Sequence, residues 1–191
     1  MYEKIMLWIV TCGILFFSNG AWAEVVLDQS QAEYDLANSG FPSTAEWVGQ
    51  TVTPTGNYLE SVDVFITAGS PPWDAILEIY GQTEDNGFSL SNRLASNTLT
   101  SITSQNITKY TFKFNHIDIS GFKHTAGTGR LLLVLKSNST GSGRYIFFKS
   151  GNPYDRGIQK YTPDSGTNWV ARAGAMTFNV YTSNTSVKNE K

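Results

Sequence analysis

Beyond its first 23 residues, this chain repeats its apolar residues at every second position and nowhere at helical spacing. No window shows apolar residues at i, i+3, i+4 and i+7 over a helix length. Val48, Gln50 and Val52 share one face, with Thr51 and Thr53 opposite. Val62, Val64 and Ile66 alternate with Ser61, Asp63 and Thr67, and Leu77 and Ile79 with Glu78 and Tyr80. Tyr110, Phe112 and Phe114 alternate with Thr111 and Lys113, and Met176, Phe178 and Val180 with Thr177, Asn179 and Tyr181. Residues 131–135 and 145–148 are apolar on both faces, which is the pattern of central strands. Turn signals separate these runs at Pro54-Thr55-Gly56-Asn57, Gly69-Ser70-Pro71-Pro72, Glu84-Asp85-Asn86-Gly87 and Pro163-Asp164-Ser165-Gly166. About eight to ten strands at this spacing predict an all-β chain, an antiparallel two-sheet sandwich of jelly-roll type. A closed barrel around a cavity is the alternative. Residues 31–42 read as irregular, residues 94–99 as a short strand piece, and 174–182 as a closing strand near an edge.

The N-terminus reads as an address. Lys4 gives a positive start, residues 5–17 are almost wholly apolar, and Ala21-Trp22-Ala23 offers small residues at the −3 and −1 positions. Residues 1–23 are therefore expected to be a signal peptide cleaved before Glu24. The folded domain is expected over 24–182 and a disordered polar tail over 183–191. The apolar run is shorter than the ~20 residues of a membrane span, so no membrane-spanning segment is expected after processing. The single cysteine, Cys12, leaves with the signal. An exported domain of this size is thus expected to be held by its core without disulfides. That usage points to the periplasm or the medium of a bacterium.

The formal net charge is −2, and charged residues are 16% of the chain, below the ~25% usual for soluble domains. No basic run or stripe is present, which argues against nucleic acid as a partner. Ser, Thr, Asn and Gly replace the missing charges, a composition suited to uncharged polar faces that meet hydroxyl-rich surfaces.

Catalytic signatures are scarce. Neither a Gly-x-Ser-x-Gly elbow nor a His-Glu-x-x-His pair occurs. His116, Asp118 and His124 lie close in sequence and are one candidate for a metal or a base pair; two exposed loop histidines are the plainer reading. Glu60, Asp63, Glu78 and Asp118 are available acids, but no spacing rule joins any two of them. No cofactor is expected. A structural calcium is conceivable around Glu84, Asp85 and Asn86, with Asp28 or Asp164 elsewhere, although such clusters usually just make turns. A sugar site needs an exposed aromatic ring beside planar donors and acceptors. Two loops offer that: Trp73 with Asp74 behind Pro71-Pro72, and Tyr154, Asp155 and Arg156 together with Trp169. Trp169 equally suits core packing, Trp73 suits either reading, and Trp47 reads as core.

The order of several short motifs resembles a known family. Gly49-Gln50-Thr51-Val52-Thr53-Pro54, Leu59-Glu60-Ser61-Val62, Leu77-Glu78-Ile79-Tyr80 and Leu94-Ala95 come first. Ala126-Gly127-Thr128, Tyr154 with Gly157, Asp164-Ser165-Gly166 with Trp169, and Phe178-Asn179-Val180-Tyr181 follow. Together they resemble the bacterial exported jelly-roll domains of the choice-of-anchor kind, which are similar to carbohydrate-binding modules. The chain departs at Gly129-Arg130, where an aromatic is usual, and at Gly174-Ala175, where an acid is usual. The expectation is a secreted or periplasmic non-catalytic module that binds glycan or another surface polymer. A structural or protein-interaction component of the envelope or matrix is the alternative, with a small hydrolase behind it.

Overall fold

The computed structural model describes residues 23–39, 44–68, 72–82, 89–123, 130–138, 145–151 and 154–185. The signal segment up to Trp22, the Glu84-Asp85-Asn86 turn, His124 and most of the expected tail are therefore not among the described residues.

The strands are β1 (Val26–Gln31), β2 (Leu36–Ser39), β3 (Trp47–Val52), β4 (Tyr58–Thr67) and β5 (Trp73–Gln82). They continue as β6 (Arg93–Ile102), β7 (Thr108–Asp118), β8 (Arg130–Ser137), β9 (Tyr145–Ser150) and β10 (Gln159–Thr162). The last are β11 (Val170–Arg172), β12 (Gly174–Met176) and β13 (Phe178–Ser183). Every pairing is antiparallel. One sheet runs β1-β13-β4-β9-β12, with β7 also on β4 and β2 also on β9; the other runs β11-β10-β3-β8-β5-β6. The fold is thus all-β and sandwich-like, with two sheets around one core.

The two-residue period explains which side chains meet. Val62, Val64 and Ile66 from β4, Leu77 and Ile79 from β5, Phe112 and Phe114 from β7, and Phe178 and Val180 from β13 share the main core. In β8 the unbroken apolar run serves two faces. Leu131, Leu133 and Leu135 join the main core, while Leu132 and Val134 meet Trp47, Tyr80 and Trp169 on the outer face. A polar tie also joins the sheets: the buried Gln50 side chain accepts from the Met176 amide at 3.0 Å.

Four expectations are corrected. Residues 31–42 are not all irregular: β1 extends to Gln31, and β2 pairs with β9 over Leu36 to Ser39. A four-residue strand is too short to show a period, so its pairing is set by the β9 edge rather than by its own pattern. The piece at 94–99 is a ten-residue strand, β6, paired along β5. Lying at the end of its sheet, it alternates half-buried Ala95, Asn97 and Leu99 with exposed Ser96, Thr98 and Thr100, and the polar Asn97 among the inward positions hides the period in the sequence. The closing strand divides at Thr177, with β12 on β9 and β13 between β1 and β4. Finally, β13 reaches Ser183, which is buried and donates to Glu60, one residue past the expected end of the domain.

Gly157 lies against the backbone of β3, and a Cβ placed there would sit 1.8 Å from the Thr51 carbonyl oxygen. Rigid backbone cannot yield as a flexible side chain could. Gly157→Ala is expected to lower the unfolding free energy by about 2–4 kcal/mol. Gly121→Ala, with nothing within 4 Å, should change it by about 0.5 kcal/mol or less. Denaturant titration of both variants checks the contrast.

Candidate functional site

The outer face of the seven-stranded sheet is built by the residues that alternate with its core. Because Val62 and Val64 turn inward, Ser61 and Asp63 turn out. The register then aligns Ser30, Asn179, Asp63 and Thr111 in one row across β1, β13, β4 and β7. The row is hydrogen-bonded throughout. Ser30 Oγ donates to Asn179 Oδ1 at 2.6 Å, Asn179 Nδ2 to Asp63 Oδ2 at 3.3 Å, and Thr111 Oγ1 to Asp63 Oδ1 at 2.6 Å. Lys109 brings its ammonium to 3.2 Å from Asp63 Oδ2.

A second row sets Leu27, Tyr181, Ser61 and Lys113 side by side. Tyr181 leans diagonally and donates its hydroxyl to Asp63 at 3.2 Å, so its ring lies across the sheet and stays half exposed. Desolvation and the Asp63 charge push the Tyr181 phenol up. Burial alone would raise the Asp63 carboxyl. The hydrogen bonds from Thr111, Asn179 and Lys109 outweigh it and hold the group below its ordinary value. The result is a half-exposed ring ringed by fixed hydroxyl, amide and carboxylate groups and two lysines.

The residues expected to form a sugar site go elsewhere. Trp73 begins β5 and is 1% exposed, turned into the main core, so it presents no ring to a ligand. The strand starts at Trp73 itself, and the two-residue period from Ala75 and Leu77 carries the indole inward. Asp74 accepts from the Ser101 amide at 3.0 Å. Tyr154 is buried against Phe178, edge to face at 5.1 Å, and burial raises its phenol far above the ordinary value. Arg156 donates to the Thr53 carbonyl at 2.6 Å while its own carbonyl accepts from the Thr53 hydroxyl, so it pins its loop to the end of β3. Asp155 alone of that group is exposed. Trp169 packs over Gly49 beside Leu132 on the outer face of the other sheet, on the far side of β3 from Tyr154. These residues do not converge.

His116 is held by Glu60. Its Nδ1 lies 2.6 Å from Glu60 Oε1, Tyr58 stacks on its ring at 4.0 Å, and Ser183 donates to the same Glu60 oxygen. Asp118 accepts from the Ser120 amide. The acid stands between serine and histidine, so the imidazole cannot take the Ser183 proton directly. Asn115 and His116 hold φ of 51° and 66°, a left-handed bulge in β7 opposite the register shift at Leu59 and Ser61. Among the described residues, no three His, Cys, Asp or Glu side chains are placed to hold a metal ion.

Alternation in the sequence already placed Asp63, Thr111, Asn179 and Tyr181 on solvent faces. The register that makes them neighbours comes only from the pairing of strands far apart in the chain. Comparison with family models, with curated proteins and with solved structures gave no match.

Two outcomes follow from this geometry. Trp73→Ala is expected to cost about 3–5 kcal/mol of stability as a core truncation. The folded Asp63 and Glu78 carboxyls both lie below their ordinary values of 3.8 and 4.5. Their ionised forms therefore stabilise the fold at neutral pH, and that contribution is lost as the pH falls below about 4. Denaturation midpoints measured from pH 6 down to about pH 2.5 should drop, and Asp63→Asn should flatten the drop.

Proposed function

We propose that this chain is a non-catalytic β-sandwich module of jelly-roll type, exported to the periplasm or the medium, that binds a glycan or another hydroxyl-rich surface polymer. The binding face is the outer face of the seven-stranded sheet, centred on Tyr181. The observation that carries this reading is the half-exposed Tyr181 ring, held by Asp63 and set beside Asn179, Ser30 and Thr111. A pyranose has an apolar C–H face that an aromatic ring can stack on and hydroxyls that planar amides, hydroxyls and lysines can meet. The face replaces the loops around Trp73 and Tyr154 as the site, because those rings are buried. Asp63 is the one carboxylate in the two rows, and its oxygens are occupied by neighbours, so the face lacks the paired acids of a glycosidase. The resemblance to choice-of-anchor domains supports the same reading, as does the signal-like N-terminus.

Titration calorimetry of the purified protein against a panel of soluble polysaccharides tests it. Binding to at least one polymer is expected, weakened about tenfold or more (about 1.4 kcal/mol) by Tyr181→Ala and little changed by Trp169→Phe. A blank panel, or binding indifferent to Tyr181, would overturn the reading. Intact mass of the exported protein should correspond to a chain beginning at Glu24.

A further inference from the structure

The strands that pair on one side only are not alike: they are β1, β2, β7 and β12 in one sheet and β6 and β11 in the other. β6 ends one sheet and β7 lies at the margin of the other, and they are linked by Asn97 donating to the Lys113 carbonyl at 2.6 Å. Both are guarded: Arg93, Lys109 and Lys113 stand on them, and left-handed residues at Ser101, Asn115 and His116 distort them. Charge and distortion are the usual protections of a sheet edge. β1 ends the seven-stranded path opposite β12, and β11 ends the six-stranded sheet opposite β6. In β1 the bulge comes only at Leu27–Gln29 and the first charge within the strand at Asp28, and in β11 the one charge is Arg172 at its end. Val25, just before β1, and Val26 and Leu27 at its start are 52%, 40% and 54% exposed in succession. In β11, Val170 is 56% exposed, and all three residues face solvent.

The charges beside these two edges are opposite. No Lys or Arg occurs between residues 24 and 92, and Glu24 precedes the exposed run of β1. Arg172 closes β11, its guanidinium 3.9 Å above the Tyr161 ring, which holds the cation in place. Lys160 is the register partner of Ala171 on β10. Pairing β1 with a second β1 in antiparallel fashion about Val26 would instead set Glu24 against Asp28, an unfavourable like-charge pair.

We propose that copies of this chain associate edge to edge, β1 of one pairing antiparallel with β11 of another. Glu24 then faces Arg172 of the second copy, and Val25 and Val26 lie against its Ala171 and Val170. Strand addition satisfies the open backbone groups of both edges, and the apolar run loses its contact with water. The contact is short, so the association is weak and depends on concentration.

Sedimentation velocity of the purified protein over a wide concentration range is the test. The wild-type chain is expected to associate as concentration rises, with Glu24→Lys or Arg172→Glu each weakening association at least tenfold. An equimolar mixture of the two variants should associate again, because the lysine introduced on β1 of one then meets the glutamate introduced on β11 of the other. The double reversal in one chain should also restore it. Circular dichroism of each variant confirms folding, and the mixture remains informative if one variant is less stable. A wild-type protein that stays monomeric at every concentration would overturn the proposal. So would association that ignores the Arg172 reversal, since β1 would then be meeting something other than β11. Tyr181→Ala should leave association unchanged, which separates this edge contact from the polymer-binding face.

Discussion

With one cysteine in the chain, no internal disulfide can form, and the fold rests on the centre of the six-stranded sheet. There β8 lies between β3 and β5, and Leu131 to Leu135 are fully buried on both faces. One face closes the main core against the other sheet. The opposite face carries a second, smaller apolar cluster under Trp169, where Gly49 leaves room for the indole. A one-residue slip of β8 alone would exchange Leu for Leu or Val, but the same slip of β3 or β5 would turn the outward Gly49 or Glu78 into the main core. The register of β3, β8 and β5 is therefore strongly specified, and the strands that flank them inherit it.

Charge adds a second constraint on pairing. Residues 24–92 hold eleven acids and no Lys or Arg, whereas residues 93–182 hold eleven Lys and Arg and three acids. Each described ion pair consequently joins an early acid to a later cation: Glu78 to Arg93 and Lys136, Asp63 to Lys109, Glu33 and Asp35 to Lys149. Glu78, like Asp63, is buried. Burial would raise its carboxyl, but Lys136, Tyr80 and Arg93 hold it below the ordinary value. Such a cluster adds little net stability, because desolvation offsets much of the attraction. A mispaired strand, however, would leave Glu78 buried without its cations, so the cluster discriminates between registers. Acid-rich early strands also avoid pairing with one another, which favours the long-range partners seen in β4 with β7 and β5 with β8.

Much of the fold was legible in the alternation of residues, which set β3, β4, β5, β7 and β13 on the right faces. The double-sided runs correctly marked β8 and β9 as strands with neighbours on both sides. Less legible were the elements whose pairing depends on the rest of the chain. β2 is too short for a period to show, and the half-buried positions 95, 97 and 99 of β6 hold Ala, Asn and Leu, a weak apolar signal. Trp73 and Arg156 were read as exposed recognition groups, and the structure places them otherwise for a related reason. Prolines beside Trp73 suggested a stiff loop presenting a ring, but the strand begins at the tryptophan itself, and its place in the two-residue period decides where the indole points. Arg156 looked like a free recognition group because its partner, the Thr53 carbonyl, lies 103 residues away. Tyr181 and Asp63 were each visible as outward residues, yet 118 positions separate them, and only the β4–β13 pairing joins them. The segregation of charge, by contrast, stands in the sequence itself, and it accounts for partners that alternation cannot supply.

The polar row around Tyr181 has a consequence for how such a face would bind. Asp63 already receives Thr111 on one oxygen and Asn179, Tyr181 and Lys109 on the other. These groups are held in place before any ligand arrives, so little ordering entropy remains to be lost on binding. The same satisfaction limits the gain, because a hydroxyl-rich ligand exchanges water for contacts that the network does not need. A face of this kind is pre-organised but weak, and a single copy would release a polymer readily. A repeating polymer offers many equivalent sites, however, and two faces in one particle convert the second binding event into a local one. Edge association through β1 and β11 would supply that second face without any new ligand contact. If both proposals hold, weak recognition on a rigid face and weak pairing at the β1 and β11 edges would reinforce each other, with the polymer raising the local concentration at which the edges meet.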